Sequence, residues 1–285
     1  MEPGKPSRTA MAAAAHRMIH QLVDRPLVFV DPLAARILGP SPPNAPDEDT
    51  IRKHATATAS LALRAQIVGR SVFAEAVLEQ AVARGVDQYV LLGAGLDTFA
   101  YRNPHPGLRV FEVDNPDSGR WKRERLASNG IPAPASATYV AINFEQETLA
   151  DALSRVGFDL GKPAVFAWLG VTVYLTRDAI LATLKAVAGM APGTEIVFDY
   201  GEPRDELPAA VQARHQERLA ALAAIGEPWI SFFRRPDMAA LLTEAGFAEW
   251  DDLDGGEINR RWFAGRTDGL MTSPLAHYVR AKAPG

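Results

Sequence analysis

Gly93 and Gly95 stand one residue apart where an apolar run, Tyr89-Val-Leu-Leu92, gives out, and Asp114 follows Gly95 by 19 positions. Glycine at the end of a buried strand lets the backbone approach a ligand closely, and the free amides of the next turn receive polar or anionic groups. An acid about 20 residues beyond such a turn is placed to accept hydrogen bonds from ribose hydroxyls. Together the glycine turn and Asp114 point to a nucleoside cofactor.

The residue that follows selects among such cofactors. The dinucleotide fingerprint continues to a third glycine, which draws helix against strand. Here Thr98 occupies that place, with Asp97 before it. A pyrophosphate would meet a carboxylate where it needs amides and positive charge, whereas an amino-acid moiety with ammonium and carboxylate meets no such conflict. That favours S-adenosylmethionine over NAD. Two alternatives stay open. An NAD-dependent oxidoreductase would share the sheet and Asp114 but call for a third glycine and a catalytic Tyr/Lys pair or His. The other is a catalytically silent cofactor-binding protein.

The elements that must position these residues follow from periodicity. Short β-rich runs are expected at Gln88–Leu92, Leu108–Asp114, Thr138–Ile142, Ala164–Leu169, Glu195–Tyr200, Phe247–Asp252 and His277–Ala281. Helical stretches over Pro116–Asn129, Gln146–Val156, Thr176–Ala188 and Pro236–Ala245 lie between them. Strict alternation of this kind argues an α/β fold with a mostly parallel sheet covered on both faces. Asp49–Arg84 reads as helical, with Gly85 as its stop, while residues 1–50 show little periodicity and include the Pro-rich run 39–46. The expected organisation is therefore an N-terminal arm with lid helices over 1–84 and a core over 85–285. A helical cap, 202–235, is inserted after the fifth strand, where open sheets bind ligands. Residues 253–276 read as irregular.

Composition narrows the class further. Apolar residues make up 47% and charged residues 22% of 285, ordinary for a globular protein, and the net charge of −4 gives no general attraction to nucleic acid or anionic lipid. There is no cysteine, which removes disulfides, thiolate metal sites and a thiol nucleophile. The six-residue apolar run Ala10 to Ala15 is too short for a signal-peptide core, and Ala164 to Leu175 is too short to span a bilayer. A cytoplasmic protein with no membrane or nucleic-acid partner is the expectation; homo-oligomerisation is compatible with it.

Three segments stand out together: Arg70-Ser-Val-Phe-Ala-Glu75, Gln88 through Arg102 with its Gly-Ala-Gly-Leu-Asp-Thr element, and Phe111-Glu-Val-Asp-Asn-Pro116 with Lys122 and Leu126. With Trp168 through Leu175, Ser231-Phe-Phe with Pro236, and Arg261-Trp-Phe with Asp268-Gly-Leu270, they resemble the leucine carboxyl methyltransferase family, especially its bacterial S-adenosylmethionine-dependent branch, over roughly residues 25 to 282. The resemblance implies a class I methyltransferase (Rossmann-like) fold: a seven-stranded, mostly parallel sheet whose last strand is antiparallel, helices on both faces and a helical lid. It implies that Arg70 pairs with the cofactor carboxylate, that Gly93 and Gly95 bracket the methionine part, and that Asp114 holds the ribose diol. After the third strand the family usually carries Asp-Leu; here Asn143-Phe144 would serve the adenine through the Asn143 side-chain oxygen and the Phe144 amide. Leu169, counted with the cofactor residues, replaces the glutamate of the protein-modifying members, which speaks for a small-molecule acceptor.

Tyr174, Tyr200, Trp229 and Phe232, with Trp168, are candidates for an apolar acceptor pocket, and Asp199 ends the fifth strand where functional groups collect. His16 and His20 are four apart, as two metal ligands on a helix would be, but with no acid at ligand spacing they read as a solvated arm, and no metal is expected. His215 reads as an exposed helix residue. No residue stands out as a catalytic base. A carboxylate acceptor would need none; a hydroxyl acceptor would have to lose a proton.

Overall fold

The computed structural model describes residues 7–40, 48–143 and 146–285. Seven strands form one sheet: β1 (Gln88–Leu92), β2 (Arg109–Asp114), β3 (Ala137–Ala141), β4 (Val165–Trp168), β5 (Glu195–Gly201), β6 (Glu249–Asp254) and β7 (Ala276–Lys282). Their order is β3-β2-β1-β4-β5-β7-β6. The first five run parallel, and β7 is antiparallel to both its neighbours. This is the expected α/β sheet. β1 is buried at every position, which is why its sequence is an unbroken apolar run rather than an alternating one.

The helices are α1 (Arg8–Val23), α2 (Ala34–Leu38), α3 (Glu48–Ala55), α4 (Thr58–Ala83), α5 (Pro116–Ser128), α6 (Leu149–Arg155), α7 (Arg177–Ala188), α8 (Ala209–Ala224), α9 (Arg235–Ala245) and α10 (Gly255–Trp262). Side chains of α6, α7 and α9 cover one face of the sheet, meeting Val90, Phe111, Phe166 and Phe198. α4 and α10 cover the other, meeting Leu91, Val110, Ala167 and Val197. The strand period of two thus divides β5 between faces: Phe198 and Tyr200 go one way, Val197 and Asp199 the other. No described helix is long and apolar enough to cross a membrane.

Three segments differ from the sequence expectation. The arm is not irregular: α1 starts at Arg8, with the Ser7 hydroxyl accepting from the Ala10 amide, and buries Ala14, Arg17 and His20. An alanine-rich stretch has high helix propensity without an apolar stripe, so periodicity passed over it. The long helix expected over 49–84 is two, α3 and α4, separated at Thr56 and Ala57. Within 253–276, α10 forms behind a capping box in which Asp254 accepts from the Glu257 amide and Glu257 from the Asp254 amide.

Candidate functional site

Sheet order reverses between β1 and β4, and beyond the C-terminal ends of these strands lies a cavity of about 370 Å³. Its floor is built from strand ends. Gly93 follows β1 with φ of 67°, and a Cβ there would stand 2.8 Å from Cγ2 of Val171, so close packing and backbone conformation both demand glycine. The Gly95 amide donates to Oδ2 of Asp114 at 2.7 Å, and the Asn115 amide donates to Oδ1 at 2.7 Å. Burial pushes the Asp114 carboxyl above its ordinary value, while those two amides oppose the shift. A carboxylate has about four lone-pair sites, so accepting from two amides leaves capacity for further donors from the cavity.

A second group stands on the β4 and β5 side. Arg70, from α4, reaches the cavity with its Nη1 3.4 Å from Oδ2 of Asp199, and the other Asp199 oxygen accepts from the Gly170 amide at 2.6 Å. Gly170 has φ of 70°, and a Cβ on it would fall 2.6 Å from the Arg70 Cζ. Asp199 therefore aims the guanidinium, and Gly170 makes room for it. Four of the five N–H donors of an arginine remain after one such bond.

The roof comes from two distant parts of the chain. Ala10, Ala13, His16 and Arg17 of α1 line the cavity, as do Arg218 and Leu222 of α8 and Trp229 beyond it. Arg17 is paired with Asp31 at 2.9 Å and donates to the Leu96 carbonyl at 2.5 Å, which ties α1 to the glycine turn. Glu227 joins the two halves of the roof: its carboxylate accepts from the Arg8 amide at 2.7 Å, the Thr9 amide at 2.9 Å and the Ser7 hydroxyl at 3.1 Å. Burial raises the Glu227 carboxyl, but these donors outweigh it and hold the group below its ordinary value.

Of the residues anticipated from sequence, Arg70, Gly93, Gly95, Asp114, Leu169, Tyr174 and Trp229 all line this one cavity. Tyr200 does not. Because Asp199 faces the cavity, its neighbour points to the opposite face, where the Tyr200 hydroxyl donates to Asp252 at 2.7 Å and the ring stacks on His277. Phe232 is also off the wall, edge-on to His215 with centroids 5.5 Å apart. Asn143 is exposed past β3, its carbonyl accepting from the Gln146 and Glu147 amides, and it too is absent from the described lining; Phe144 lies outside the described residues.

The two histidines of the arm are not solvated. His20 is fully buried with Nδ1 2.7 Å from Asp24, and Nε2 faces the amides of Val28 and Phe29, so it is a structural link rather than a ligand. Among the described residues no cluster of three metal-binding side chains occurs. His16 lines the cavity, with its Nδ1 buried and without a partner among the described residues. Sequence gave no sign of this, since the arm carried no periodicity to set its direction. Arg218 and Gly170 were equally unmarked: each matters through a tertiary neighbour.

Comparison with known proteins agrees with this architecture. Residues 10–188 match the family model described as leucine carboxyl methyltransferase. A Bacillus subtilis (strain 168) protein, provisionally named an S-adenosyl-L-methionine-dependent methyltransferase, is 29% identical over 99% of both chains. A Mycobacteroides abscessus protein with the same provisional name is 34% identical over 75% of this chain and 67% of its own. Among solved structures, a DUF574 family protein from Streptomyces avermitilis superposes with a TM-score of 0.55 at 16% identity, covering 96% of this chain and 97% of that one, a likeness of fold. The chain belongs to the leucine carboxyl methyltransferase family and is an S-adenosylmethionine-dependent methyltransferase.

Proposed function

We propose that the protein O-methylates a small-molecule acceptor held between the C-terminal edge of the sheet and the roof of α1 and 202–235. The observation that carries this reading is the roof itself: two chain segments more than 200 residues apart are joined over the cavity by the Glu227 carboxylate on Ser7, Arg8 and Thr9. A site so covered suits a compact acceptor better than a protein terminus. Leu169 on its wall, where protein-modifying relatives carry glutamate, supports the same reading.

The floor fits the cofactor. Asp114 has lone pairs left for a ribose diol, Arg70 has donors left for a carboxylate, and the backbone at Gly93 leaves no room for a side chain that would compete. When bound, the cofactor supplies a sulfonium methyl group already activated for transfer. The chain's own work is then to hold the acceptor oxygen in line and keep water out. The roof does the second, and residues facing down from it do the first. Among the described floor residues, Asp199 is held by Arg70 and the Gly170 amide, and Asp97 accepts from the Phe99 amide. An acceptor already ionised at the bound pH needs no base from the floor.

The test is a screen of small carboxylic acids and phenols with methyl-labelled S-adenosylmethionine. The expected product is a labelled small molecule, with base-labile label marking an ester and base-stable label an ether. Label appearing only on protein C-termini would overturn the small-molecule reading.

A further inference from the structure

Polar groups facing down from the roof lack the partners that the floor groups have. The Nδ1 of His16 and the Nε1 of Trp229 are buried without a hydrogen-bond partner among the described residues, and both residues line the cavity together with Arg218. Buried donors left unmatched are rare in folded proteins and call for a partner. Arg218 rests on the face of Trp229, its Cζ 4.6 Å from the ring centroid. Burial and then Arg204 depress its pKa, with Tyr174 acting the other way. Arg204 is itself depressed by burial.

Four other arginines that are buried or half-buried each meet an acid. Arg17 faces Asp31, Arg64 faces Asp24, Arg70 faces Asp199 and Arg102 faces Glu75. Nor does core packing account for where Arg218 sits, because α8 has no buried residue. The cap has brought a half-buried guanidinium over the cavity with no acidic counter-charge against it among the described residues, and a cation partly withdrawn from water without one is unfavourable. His16 is held down to about 4 by burial, then by Arg64 and Arg218, so at neutral pH it is an uncharged imidazole able to carry its proton on Nδ1.

Building on the acceptor chamber proposed above, we propose that Arg218, Trp229 Nε1 and His16 Nδ1 form the receptor for a carboxylate carried by the methyl acceptor. A planar guanidinium matches a carboxylate in bidentate fashion, and two neutral N–H donors complete its coordination. The apolar wall of Leu63, Ile67, Tyr174 and Leu222 takes the rest of the molecule, so the fitting ligand is a carboxylic acid with an apolar or aromatic body.

The experiment is titration calorimetry of benzoate, phenylacetate, 4-hydroxybenzoate and octanoate, each against its own primary amide, with and without saturating S-adenosylhomocysteine. At least one carboxylate binds tenfold or more tightly than its amide. Arg218→Gln brings that preference to within twofold while S-adenosylhomocysteine affinity stays within twofold of wild type. Trp229→Phe, which keeps the ring and removes the N–H, weakens the carboxylate three- to tenfold. The receptor is overturned if no carboxylate binds more tightly than its amide, or if the preference survives Arg218→Gln. Failure of S-adenosylhomocysteine to bind the wild-type protein would instead strike the cofactor reading, and the carboxylate comparison without it would still decide the receptor.

Discussion

The floor and the roof of the cavity are built on opposite principles. Floor groups are held by the protein itself: Asp114 by two backbone amides, Asp199 by the Gly170 amide and Arg70. They project from the ends of buried strands. The roof joins α1 to α8, a helix with no buried residue, and it carries two buried nitrogens unmatched among the described residues and a guanidinium stacked on a ring. A floor of this kind is preorganised for a ligand that does not change, whereas the roof, as proposed above, is completed by the acceptor beneath it. The difference assigns the constant part of the reaction to the strands and the selective part to the cap.

The sharpest way to break that division is at Asp114. Replacing it with alanine removes two charge-assisted acceptors at about 1.5–3 kcal/mol each, so S-adenosylhomocysteine affinity measured by calorimetry falls well beyond tenfold. Carboxylate binding beneath the roof survives. Next in size is Gly170→Ala, which places a Cβ against the Arg70 guanidinium at a φ of 70°. Cofactor affinity is expected to fall about tenfold, with a melting temperature lower by a few degrees.

On the roof, Glu227→Ala severs the link to Ser7, Arg8 and Thr9. Turnover should fall severalfold with cofactor affinity unchanged, and amide exchange should speed up in the first turn of α1. The same link gives a pH test. Glu227 is held below its ordinary value in the folded protein, so its stabilising contribution is complete above the unfolded value of about 4.3 and is lost as pH falls through the folded value. Exchange protection at the start of α1 should therefore fade as pH falls below the unfolded value, and in the Glu227→Ala protein it should be weak at neutral pH already. The smallest effect belongs to Tyr200→Phe. With its hydroxyl on Asp252 and its ring away from the cavity, this change should leave turnover within twofold and cost about 1 kcal/mol in denaturant unfolding.

Sequence made the floor legible because its rules are local. A strand buried on both faces must be apolar throughout, a turn pressed against Val171 must be glycine, and the acid that completes it falls at a spacing set by one helix-length crossover. The roof obeys no local rule. Whether Arg218 has a counter-ion, or His16 a partner, depends on residues far away in the chain. Two misreadings had a signal available. Asp199 and Tyr200 are adjacent on a strand, so only one could face the ligand, and strand alternation should have separated them. Asp254 and Glu257 form a capping box in plain view, announcing α10 inside a segment that read as irregular. Asn143, in the family's adenine-side position, stands exposed and off the described wall, and nothing described in the structure explains the substitution.

One measurement bears directly on the division between floor and roof: calorimetric titration of S-adenosylhomocysteine into wild type, Asp114→Ala and Arg218→Gln under the same conditions. Independent floor and roof predict tight binding to wild type, loss well beyond tenfold in Asp114→Ala, and affinity within twofold of wild type in Arg218→Gln. Equal binding by wild type and Asp114→Ala, or a comparable loss in Arg218→Gln, would contradict it.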